Sequence, residues 1–132
     1  GLTFVEARER YADLWARNVT LQWDEAPPGG ESLLEVVERV VRGLEALRAR
    51  FDGRRRPVLV AHGFVSRVVR ATCRDSFADF HAWTPGNAET FEVEVPRFGP
   101  GDLARWRHAF QGAAARHAGT VHGASVPSTS PL

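Results

Sequence analysis

The chain has 132 residues, 43% of them hydrophobic and 25% charged, the make-up of an ordinary globular domain long enough to bury one core. Seventeen basic against sixteen acidic residues leave a formal charge of +1, which excludes a dedicated nucleic-acid binder with a basic face. One cysteine, Cys73, excludes an internal disulfide, and the absence of a membrane-length apolar run or an opening signal segment points to a cytoplasmic protein with no membrane partner.

Thr3 and Glu6 have the spacing of a capping box ahead of Phe4, Ala7, Tyr11 and Leu14, which predicts a helix from Phe4 to Ala16. Pro27, Pro28, Gly29 and Gly30 then form a connecting loop. A second capping box, Ser32 with Glu35, opens the most regular helix of the chain, with Leu33, Val37, Val40, Leu44 and Leu47 on one stripe and Asp52-Gly53 as its stop. The run Arg54, Arg55, Arg56 reads as a solvated loop.

Val58 to Ala61 is uninterrupted by polar residues and reads as a strand covered on both faces. Phe64 to Thr72 resumes helical spacing through Val65, Val68 and Val69, with Cys73 as a buried, inert thiol at its end. The aromatic stretch 75–86 predicts a short helix running into a loop. Phe91, Val93 and Val95 alternate with Glu92 and Glu94, the pattern of a half-exposed strand near a sheet edge. After Gly99-Pro100-Gly101, residues 102–110 alternate through Ala104, Trp106, His108 and Phe110 and read as a return strand, although their composition also permits a helix. From Gly112 onward no period is sustained, so the expectation is a domain over residues 1–111 and a flexible tail over 112–132. The order helix, strand, helix predicts a doubly wound, three-layer α/β/α fold.

His62 falls at the carboxyl end of the predicted strand, where open α/β sheets bind ligands, and Gly63 after it permits a sharp turn and close backbone approach. Position and residue type mark a candidate site, against the plainer reading of a hydrogen-bonded loop histidine.

"PPGGES" leading into a long amphipathic helix, followed by a strand ending in "AHGFVSR", resembles the latter part of the histidine phosphatase superfamily, the phosphoglycerate-mutase-like enzymes. "GLTFVEARERYADLW" and "GNAETFEVEV" resemble flanking segments of the same family, in the right order over residues 1–95. The resemblance implies phosphoryl transfer through a phosphohistidine on a small-molecule phosphate ester, with no metal and no cofactor. It makes His62 the second, phosphate-holding histidine, with Gly63 and the Phe64 amide as further phosphate contacts. It gives Glu31 an orienting role, Ser32 the part of a helix cap, Arg67 that of a structural partner, and Asn87 that of a brace for the pocket.

The family's first strand ends in an Arg-His-Gly that supplies the nucleophile, and that tripeptide does not occur in this sequence. Arg107-His108 and Arg116-His117 lack the following glycine. The expectation is therefore a partial domain, its first strand and acid missing, inactive alone and prone to self-association through the exposed sheet edge. Two alternatives accompany the phosphomonoesterase reading: a non-catalytic phosphate- or partner-binding module, and a phosphoglycerate-mutase-type phosphotransferase. Short connections favour phosphatase over mutase.

Overall fold

Capping decides where the helices begin. The computed structural model describes residues 1–17, 22–51, 53 and 55–121, with side chains to residue 116, and its helices are α1 (Phe4–Arg10), α2 (Ala12–Ala16), α3 (Leu33–Arg50), α4 (Gly63–Cys73) and α5 (Asp102–Val121). At α1, Thr3 Oγ1 accepts from the Glu6 amide while the Glu6 carboxylate accepts from the Thr3 amide. The predicted single helix is divided at Tyr11, whose φ of −124° and ψ of 43° leave the helical region.

Ser32 and Glu35 repeat the capping box at α3. The preceding connection completes that end, because Gln22 and Trp23 carbonyls accept from the Leu33 and Leu34 amides at 3.4 and 2.9 Å. All of the first three amides of α3 thus have acceptors. The same contact delivers the Trp23 ring to the core.

That core lies between α3, α4 and α5. Leu33, Val36, Val37, Val40 and Leu44 of α3 face Val68, Val69 and Ala71 of α4. The buried Thr72 hydroxyl is satisfied by the Val68 carbonyl at 2.9 Å. Helix α5 adds Trp106, Phe110 and Ala113. Between α4 and α5, Phe77 and Phe80 stack at 5.5 Å and meet Phe110, Trp106 and Trp23 at aromatic contact distances. Residues 77–83 make this contact through successive turns, with amides of Phe80, Ala82 and Trp83 bonded to carbonyls of Phe77 and Asp79, where the sequence predicts a short helix.

Two expectations are overturned. No strand or β-ladder occurs among the described residues, so the doubly wound α/β/α sheet is not the architecture; the regular elements are all helical. Val58 and Val60, expected to be buried, are 88% and 91% exposed. An apolar run states what its side chains prefer as neighbours, but a strand exists only when another backbone completes its hydrogen bonds, and residues 57–61 have no such partner among those described. Residues 92–95 keep the predicted alternation without the ladder, with Val93 and Val95 packed against the core and Glu92 and Glu94 facing out, whereas Phe91, expected on the inner face, is exposed. An exposed ion pair, Arg56 to Glu92 at 3.1 Å, links the two segments.

The second correction concerns residues 102–110, expected as a return strand and found in α5. Trp106, Phe110 and Ala113 recur at steps of four and three, one buried helical stripe that a period of two also satisfies as far as Phe110. Helix α5 continues to Val121 through positions the sequence assigns to the tail; residues 122–132 lie outside the described part, as do Asp52 and Arg54.

Candidate functional site

The amino end of α4 differs from that of α3. Its N-cap is His62, with φ −67° and ψ 152°, and the imidazole makes no capping hydrogen bond. The first backbone bond of the helix runs from the Ser66 amide to the His62 carbonyl at 2.9 Å, so the Gly63, Phe64 and Val65 amides have no intrahelical acceptor. His62 and Gly63 are exposed. Three N–H groups directed out of the positive end of a helix dipole, beside an imidazole able to donate, form an arrangement that favours an anion.

The rest of α4 fixes this end in place. The half-buried Phe64 ring meets Phe80 edge to face at 5.9 Å, anchoring the first turn to the aromatic core. Beside it runs the segment 84–89, in which the Gly86 amide donates to Glu89 Oε2 at 2.6 Å and Ala88 takes a φ of 56°. A Cβ placed on Gly63 would stand 3.7 Å from Pro85 Cγ, so this segment adjoins the helix start. Asn87 is exposed within the 86–89 turn. Arg67, one turn along α4, donates from Nη2 to Thr84 Oγ1.

The remaining candidates sit apart. Glu31 is clamped by Arg39 through two hydrogen bonds, Nε to Oε1 at 2.8 Å and Nη2 to Oε2 at 2.6 Å, and this guanidinium holds its carboxyl below the usual range. An ionised carboxylate so held has no proton to donate near neutral pH. Ser32 spends its hydroxyl on Glu35 as the cap of α3. No hydrogen bond among the described residues joins either of them to His62 or to the first turn of α4. His108 is exposed on α5, and its neighbour Arg107 is paired with Asp24. The His117 side chain lies outside the described part. No group of three or more His, Cys, Asp or Glu among the described residues could hold a metal ion, and no helix among them is long and apolar enough to cross a membrane.

Thr84 and Pro85 are the residues of this region that sequence reasoning passes over. Their only signal is a Thr-Pro-Gly that reads as a turn.

No curated protein and no solved structure matches the chain. A family profile does: that of the histidine phosphatase superfamily (branch 1) matches residues 1–109, a stretch that includes α1 to α4, His62 and the 84–89 turn. With most of its length matched, the chain belongs to the histidine phosphatase superfamily.

Proposed function

We propose that this chain supplies the phosphate-holding side of a phosphomonoesterase site that works through a phosphohistidine on a small phosphate ester. The reading is carried by one observation: His62 stands at the unsatisfied amino end of α4, in a chain matched to the family over residues 1–109. In this role His62 donates an imidazole N–H to a non-bridging phosphoryl oxygen, and the Gly63 and Phe64 amides donate to the others. Such charge-assisted bonds strengthen as negative charge gathers on the transferring group.

The nucleophile lies elsewhere. The sequence contains no Arg-His-Gly; on this reading the attacking histidine and the proton donor for the leaving alcohol are supplied by a segment other than these residues, without which the chain does not turn over. In the complete reaction the attacking nitrogen bonds phosphorus as the ester P–O bond breaks and the alcohol oxygen gains a proton. Water then takes the phosphoryl group from nitrogen and releases inorganic phosphate. A reducing cytoplasm suits the free Cys73.

Titration of the 15N-labelled chain with inorganic phosphate tests the reading. Saturable movement of the Gly63 and Phe64 amide signals, lost in His62→Ala, supports it; unmoved signals, or equal movement in His62→Ala, refute it. A second reading, a module that binds phosphate without turning it over, is favoured by the placement of His108 on an exposed face of α5 with Arg107 engaged by Asp24. Assay of the full-length protein separates the readings: release of phosphate into water marks the phosphatase, transfer to an acceptor alcohol marks a mutase-type phosphotransferase, and binding without turnover marks the module.

A further inference from the structure

Helix α4 carries two arginines one turn apart, and both reach the same connecting segment. Arg70 Nη2 pairs with Asp79 Oδ2 at 2.7 Å, its side chain only 13% exposed, and its guanidinium carbon lies 4.5 Å from the Trp83 ring centre. Arg67, nearer the amino end, donates to Thr84 Oγ1. Pro85 follows directly and adjoins Gly63. Residues 79 to 85 are therefore laid back along α4 toward its first turn, where Pro85 Cγ lies 3.7 Å from the position a Cβ on Gly63 would take.

We propose that Arg67 is a positioning residue for the anion site and acts through Thr84: its hydrogen bond fixes Pro85 and the turn after it against the amino end of α4. That placement sets how closely a phosphoryl group approaches the Gly63 and Phe64 amides. The inference rests on the reading of His62 as phosphate-holding. The two arginines divide the task, since the sheltered Arg70–Asp79 pair ties the far end of the segment down and the Arg67–Thr84 bond ties the end beside the site. A hydroxyl is also a suitable acceptor here. It fixes the guanidinium without cancelling its charge, so a positive field persists one turn from where the anion sits, whereas a carboxylate at position 84 would neutralise it.

Two readouts on the labelled chain test this independently: inorganic phosphate affinity from amide shifts, and the nuclear Overhauser contact between the Pro85 ring and the Gly63 Hα protons. Arg67→Met and the near-isosteric Thr84→Val should each abolish the Pro85–Gly63 contact and weaken phosphate by about three- to tenfold, the range of one lost hydrogen bond. The double variant should be no weaker than Arg67→Met alone, because Thr84→Val removes only the hydrogen bond that Arg67→Met already removes. Arg67→Lys should restore part of the affinity, and His62→Ala should weaken phosphate while keeping the contact. If Arg67→Met loses phosphate but Thr84→Val binds it like the unaltered chain, Arg67 acts on the anion through its own charge and not through Thr84, and the positioning role is overturned. Persistence of the Pro85–Gly63 contact in both single variants overturns it as well. If the unaltered chain shows no phosphate shifts while the contact responds to both variants, the site reading fails, and Arg67 is left with a purely structural bond.

Discussion

One oxygen of Asp75, Oδ1, accepts hydrogen bonds from both Arg105 Nη2, at 2.5 Å, and the buried indole Nε1 of Trp106, at 2.6 Å. Asp75 follows the last turn of α4 with a φ of 51°, a left-handed conformation that Asp and Asn tolerate better than other side chains. A single carboxylate thus joins the end of α4 to the buried face of α5.

The Arg105 hydrogen bond, aided by that from Trp106 and opposed by partial burial, holds the Asp75 carboxyl below its ordinary value. A carboxyl lowered on folding contributes stability that is present above its unfolded pKa and lost as the pH falls through the folded one. Asp75→Ala should destabilise the chain by about 1–3 kcal/mol at neutral pH, because the Trp106 N–H is left buried without an acceptor. Asp75→Asn keeps an oxygen acceptor and the left-handed backbone, and should cost less. It should also flatten the loss of stability between neutral and acidic pH, measured by urea unfolding across that range. Equal acid sensitivity in Asp75→Asn would assign that loss to other carboxylates.

Alanine fits at position 63, since its Cβ would be in ordinary contact with Pro85 Cγ at 3.7 Å. The higher helix propensity of alanine should leave Gly63→Ala as stable as the unaltered chain or more stable by up to about 1 kcal/mol. Phosphate should nevertheless bind more weakly, because the methyl group stands beside the free amides. Thermal unfolding and phosphate titration of one preparation separate these effects. A variant that unfolds early would show instead that the glycine serves folding.

The exposed run at Val58, Leu59 and Val60 is apolar and has no backbone partner among the described residues, the combination that templates strand addition by another chain. We expect the chain to self-associate through it. Sedimentation should give an average mass that rises with concentration, and Val60→Lys should return the chain to a monomer. A monomeric unaltered chain at all concentrations would remove this segment from the account.

Burial pushes the Cys73 thiol up to about 11, above the ordinary thiol range. The protonated thiol is a poor nucleophile, so iodoacetamide should label it slowly at pH 7–8 and quickly once the chain is unfolded. A thiol raised on folding contributes stability below its unfolded pKa that is lost as pH rises through the folded one, between about 9 and about 11. Rapid labelling of the folded chain at pH 7 would contradict this environment.

How far the sequence could be read depended on the distance over which each interaction acts. Thr3 with Glu6 and Ser32 with Glu35 are three-residue capping signatures, and both boxes form. The stripe from Leu33 to Leu44 needs only helical geometry to identify its buried face, and the helical spacing from Phe64 onward puts His62-Gly63 at the start of α4, although no strand precedes it. The sheet was misread because a strand requires a second backbone, and nothing within Val58–Ala61 reveals whether one is present. Residues 102–110 misled for a different reason: Trp106 and Phe110 are four apart, a separation that periods of two and 3.6 both accept, and only Ala113 decides between them. The Arg67–Thr84 bond spans 17 positions and leaves no local pattern at all.

Neither α1 nor α2 buries a residue, although Phe4 and Trp15 meet edge to face at 4.6 Å and Arg17 is paired with Glu25 at 2.8 Å. Helices of seven and five residues are too short to persist in water on their own bonds, and one ring contact with one exposed ion pair adds little. The amide protons of residues 4–16 should therefore exchange with solvent long before those of α3 and α4. Among the described residues the buried core starts at Trp23, so the amino-terminal helices should be ordered only so far as something else rests on them.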